Sequence, residues 1–157
     1  MASSYHDKGD LGTAYFEAVK TISSDGDHAR VLSTLPAAHG DDRETLARVL
    51  RSAGKISSDG DKARVLKEAV ARYSDAETIS TAFIEATNSI SSDGDHQQVL
   101  VALVHRQGIN TVTIDKIAKS AERISSDGDK ARVLDANSSK LAAHFCARST
   151  ELRTARF

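Results

Sequence analysis

The chain has 157 residues, enough for one ordinary domain core. Its formal net charge of -1 argues against the basic footprint of a nucleic-acid binder, and 4% aromatics without Trp leave few stacking platforms for bases or sugars. The single cysteine, Cys146, excludes an internal disulfide framework and a multi-thiolate zinc site. A reducing, cytoplasmic setting fits this composition. No apolar run approaches the ~18 residues that a bilayer crossing requires, and residues 1–10 are polar with no signal-peptide core. The reading at this point is a soluble chain with no membrane and no nucleic acid among its partners.

Residues 1–21 carry one apolar stripe at helical spacing: Leu11, Tyr15, Phe16 and Ala18. The string Ile-Ser-Ser-Asp-Gly-Asp then begins at Ile22, Ile56, Ile90 and Ile124, always 34 residues apart and without insertions. This divides a single domain, 1–157, into a half repeat (1–21) and four repeats: 22–55, 56–89, 90–123 and 124–157.

Each unit opens on a first helix. Counted from the repeat's Ile, apolar or small residues recur at positions 8, 10, 11, 14 and 15, as in Ala63, Val65, Leu66, Ala69 and Val70. The second Ser of the string reads as the N-cap and the second Asp as a first-turn acid facing the positive end of the helix dipole. Those pairs are Ser24 and Asp27, Ser58 and Asp61, Ser92 and Asp95, and Ser126 and Asp129. Turn formers follow at Pro36 to Asp42, Ser74-Asp75 and Gln107 to Asn110. A second stripe comes after each break: Leu46, Val49, Leu50 and Ala53, then Ile79, Phe83, Ile84 and Ala86, then Ile114, Ile117, Ala118 and Ala121. A lone hairpin cannot bury both faces, so neighbours must stack, and a constant length keeps every stripe facing its neighbour. The expected fold is all-α: a right-handed α-solenoid of stacked two-helix 34-residue repeats, like tetratricopeptide or HEAT arrays in architecture.

The last unit departs from this pattern. After Leu134 comes Asp-Ala-Asn-Ser-Ser-Lys, and the tail carries Arg148, Arg153 and Arg156, which reads as a polar terminal cap ending on a second-type helix.

The tetratricopeptide signature of Trp, Leu-Gly and Pro is missing. The string ISSDGDKARVL, intact at 56–66 and 124–134, instead resembles bacterial helical repeats found C-terminal to membrane metallopeptidases of the beta-lactam-sensor type. Gly26, Gly60, Gly94 and Gly128 stand where those repeats have Tyr. The resemblance covers the repeats alone; no His-Glu-x-x-His occurs, so it implies no protease activity.

The acids of the four Asp-Gly-Asp strings are the most visible candidate site, and an array of acidic pairs could collect calcium. An EF-hand loop needs at least six oxygens and a bidentate Glu, which the strings lack. A first-turn acid gains roughly 0.3–1 kcal/mol from the dipole, against about 0.4 kcal/mol of repulsion between like charges ~10 Å apart in water. Helix capping therefore needs no metal. At position 7 stand His28, Lys62, His96 and Lys130, which read as a ladder reaching to the Asp of an adjacent repeat, or as a solvated edge. The other histidines, His39, His105 and His144 among them, read as surface groups, and Cys146 as a partly buried residue of the last helix.

No acid, base and nucleophile converge, so the sequence points to a scaffold without cofactors. It binds a protein partner or itself, and end-to-end contact gives a ring or an open filament. The resemblance implies an alternative, a detached regulatory or sensor domain of a membrane-peptidase system.

Overall fold

The computed structural model describes residues 8–39 and 42–154, with side chains for 12–35 and 42–147. Among them are eight α-helices: α1 (Lys8–Val19), α2 (Asp25–His39), α3 (Arg43–Ala53), α4 (Asp59–Ala69), α5 (Glu77–Asn88), α6 (Asp93–His105), α7 (Thr111–Ala121) and α8 (Asp127–Thr154). One 3-10 turn, Val70–Arg72, extends α4. No strand occurs among the described residues.

Six of the helices start where a side chain satisfies a free N–H group, whereas α5 opens after Ala76 without such a cap. Ser24, Ser58, Ser92 and Ser126 each accept the N–H of the Asp three residues on, at 3.3 Å, to open α2, α4, α6 and α8. Asp42 accepts from Glu44 and Thr45 to open α3, and Asn110 accepts from Thr113 to open α7. Between α6 and α7, Gly108 has φ +77°, a left-handed backbone that a residue with a Cβ rarely adopts.

Two helix boundaries differ from the sequence reading. Helix α2 runs through Pro36 to His39. A proline past the first turn forfeits one hydrogen bond and crowds the carbonyl four residues back, and α2 continues for only three residues beyond it. The break expected from Pro36 is therefore shorter, and residues 40–41 lie outside the described residues. The larger departure is α8, a single helix of 28 residues where a hairpin was expected. The turn of the third unit, Gln107 to Asn110, maps onto Leu141, Ala142, Ala143 and His144, which have no reason to leave a helix. Lys140 Nζ donates to the Arg106 carbonyl and His144 Nε2 lies 2.9 Å from the Ile109 carbonyl, so α8 runs on past the α6–α7 turn. Among the described residues the fourth unit therefore has no returning second helix. The side chains of Arg148 and Arg153, and Arg156 altogether, lie outside the described residues.

Packing joins two rows of helices. In one, α2, α4, α6 and α8 each lie against the next; in the other, α3 packs on α5 and α5 on α7. Arg48 ties α1 to the second row, with Nη1 3.2 Å from Thr13 Oγ1 and its guanidinium 5.9 Å from the centre of the Phe16 ring. The aliphatic core lies between the rows, and its equivalent positions repeat: Leu32, Leu66 and Leu100 are all completely buried. Tyr73 meets Phe83 edge-on at 5.5 Å and shares a 2.9 Å hydrogen bond with Thr113 Oγ1. The stripes of α3, α5 and α7 are buried as expected, apart from the half-buried Ile84 and Ala118. In α1, Phe16 and Val19 are buried, Tyr15 is half-buried and Ala18 is exposed. Ala18 sits off the 3.6-residue stripe, and Val19 takes its place. The side chain of Leu11 lies outside the described residues.

No helix among the described residues is long and apolar enough to cross a membrane.

Candidate functional site

The first Asp of each of the first three strings reaches out of its own unit. Asp25 accepts the backbone N–H of Ser57 at 3.2 Å and of Ser58 at 2.8 Å. Asp59 does the same for Ser91 and Ser92, at 3.0 and 2.8 Å, and Asp93 for Ser125 and Ser126, at 3.1 and 2.8 Å. Each carboxylate thus holds the two N–H groups that precede the next first-row helix, groups that the helix itself cannot satisfy. Sequence reasoning placed the acids at helix starts but missed this seam. The signal was present in the invariance of both Ser residues and the first Asp, since a contact made between successive units constrains both partners in every unit.

The second acid stays within its own helix. Asp27, Asp61 and Asp129 accept from Arg30, Arg64 and Arg132 three residues on, at 2.8, 2.9 and 2.7 Å. In the third unit, position 9 is Gln98, beyond Asp95. The acidic strings are thus engaged with backbone amides and arginines. Among the described residues, no three His, Cys, Asp or Glu side chains gather as a metal site.

The position 7 side chains point inward, toward the second helix of their own unit. His28 Nε2 lies 2.9 Å from Ser52 Oγ, and His96 Nε2 lies 2.9 Å from Ser120 Oγ. Lys62 Nζ donates to the Ser89 carbonyl at 2.9 Å and lies 3.7 Å from Asp59, with its side chain only 5% exposed. The expected ladder from this position to the neighbouring unit's Asp is replaced by bonds inside each unit, and only Lys130 is half-exposed. A correlation readable in the sequence accompanies the switch: histidine units carry Ser52 or Ser120 where the lysine units carry Ala86 and Thr154. The Ser120 hydroxyl donates to Asn88 Oδ1 at 2.6 Å, so the proton of the His96 bond comes from the ring, with Nε2 protonated.

His28 and His96 are therefore buried, not surface groups. Burial, the largest cause, holds both rings below the usual histidine pKa. Arg123 pushes His96 further down, while Asp93 opposes this for His96 and Asp25 for His28. With the folded pKa depressed, the stabilising contribution is complete above the unfolded value of about 6.5 and is lost as pH falls from there to the folded pKa. In that window stability drops by up to about 1.4 kcal/mol per pH unit for each ring. Urea unfolding between pH 7.5 and 5 should show this slope, and His28→Gln with His96→Gln should flatten it. An equally steep profile in the double variant would assign the slope to other groups.

His105 is exposed, His144 is half-buried over the α6–α7 turn, and the His39 side chain lies outside the described residues. Cys146 is exposed rather than partly buried, because α8 has by then passed the ends of α6 and α7.

The two ends of the first row present different faces. Ile22 and Val31 are half-buried, whereas their equivalents Ile56, Ile90 and Ile124, and Val65, Val99 and Val133, are buried by the unit before them. At the other end Leu134 is 40% exposed, although Leu32, Leu66 and Leu100 are at 0%. Ala131 is exposed as well, where Ala29 and Ala63 are buried. Asp127 is exposed.

Compared with protein-family models, curated proteins and solved structures, the chain matches none.

Proposed function

We propose that this chain is a non-catalytic α-solenoid scaffold that works by protein contact, with a partner or with itself. One observation carries the reading: the same carboxylate-to-amide seam is made three times, by Asp25, Asp59 and Asp93. Of the residues that look most like chemistry, Asp25, Asp59, Asp93 and the buried histidines join helices, and Asp27, Asp61 and Asp129 pair with arginines of their own helices. A surface whose variable residues lie on the second-row helices and at the two ends is suited to recognition.

The string ISSDGDKARVL supports the sensor-associated reading only through the same surface. At 56–66 its Ile, Ala, Val and Leu fill the core, its second Ser caps and its first Asp makes the seam. What the string shares with peptidase-linked repeats is thus the means of stacking.

The experiment is deletion of residues 56–89, which joins Lys55 to Ile90 with every seam partner still in sequence. Asp25 then meets Ser91 and Ser92. A scaffold of interchangeable units stays helical by circular dichroism, unfolds in one transition and loses stability in proportion. A deletion chain that is unfolded at room temperature sinks the scaffold reading.

A further inference from the structure

We infer that this chain joins head to tail with a second copy of itself, repeating at the joint the seam it makes internally. The inference rests on the scaffold reading and specifies its partner. Shifted by 34 residues, α1 falls on α3 and is thus a second-row helix; α8, in contrast, is a first-row helix with no second-row helix returning beside it among the described residues. The two ends carry the halves of one unit. The second copy's α1 takes the second-row place of the fourth unit, next to α7, and its α2 lies on α8 as α4 lies on α2.

Each contact has an internal precedent. Asp127 accepts the N–H groups of Ser23 and Ser24 of the second copy, as Asp59 accepts those of Ser91 and Ser92. Lys130 donates to the Thr21 carbonyl, as Lys62 donates to that of Ser89. The exposed Leu134 and Ala131 cover Ile22 and Val31, apolar residues that only the end units leave open. The faces differ, so the contact is heterologous and each joint leaves the next end available.

Sedimentation velocity on the full chain from about 10 μM to about 1 mM tests this. The mean mass should climb in multiples of the 16.8 kDa chain. Leu134→Glu blocks the rear face and Val31→Glu the front; each alone should stay at the single-chain mass, while an equimolar mixture should stop at twice it. If circular dichroism shows that either variant has lost helix, Asp127→Asn and Val31→Thr serve instead, each raising the half-assembly concentration about tenfold. A chain of single mass throughout, assembly indifferent to both faces, or variants that fail to pair would overturn the joint. The unit deletion, which needs no association, would still report on the scaffold.

Discussion

Leu100→Ala should lower the unfolding free energy by about 2–5 kcal/mol, and Leu134→Ala by less than about 1 kcal/mol. The two leucines hold the same position in units of equal length, each after a Val in a helix opened by a Ser cap. They differ in what lies beyond them. Leu100 is completely buried, with α4 on one side of its helix and α8 on the other, so truncation removes transfer free energy and leaves a cavity. Leu134 is 40% exposed and leaves little cavity. Urea unfolding at a few micromolar, below the concentrations proposed for association, measures both costs. Repeated at high concentration, the Leu134→Ala penalty should grow, because a second copy would bury the site and couple folding to association. Equal penalties at low concentration would contradict the difference in burial.

The same contrast explains what the sequence could and could not disclose. Helix starts were legible because each depends on neighbouring residues: Ser58 finds Asp61 three positions on, and the stripe Ala63, Val65, Leu66 and Ala69 declares its own periodicity. The identity of the side chains reaching between units was not, because Asp59 and Ser92 are separated by a full repeat and nothing local to either shows that they meet. Position 7 misled for a related reason. Histidine and lysine in a first turn normally face water, and only the concerted change from Ser52 and Ser120 to Ala86 hints that they face inward. The unbroken α8 was legible in principle, since Leu-Ala-Ala-His replaces the turn formers of the other units. An expectation of strict repetition concealed it.

Asp59→Ala should destabilise the chain by about 2–4 kcal/mol, the most of any seam carboxylate. Three partners depend on it. The Ser91 and Ser92 amides lose their acceptor, a loss softened because water reaches Ser91. Lys62, nearly fully buried 3.7 Å away, loses the negative charge paired with it and keeps the Ser89 carbonyl. Asp25 and Asp93 stand beside histidines instead, so their removal leaves no buried cation and should cost only about 1–2 kcal/mol. Asp127→Ala, with no amides to hold in the single chain, should stay within about 0.5 kcal/mol apart from the small helix-dipole contribution that all four share. The order Asp59 above Asp25 and Asp93, and these above Asp127, separates the seam from plain helix-end electrostatics, which predicts four equal losses. A double-mutant cycle with Lys62→Met isolates the ion pair. Once the buried ammonium is gone, Asp59→Ala should cost at least about 1 kcal/mol less than in the parent. Additive losses would place Lys62 outside the seam and leave the carboxylate as an amide acceptor alone.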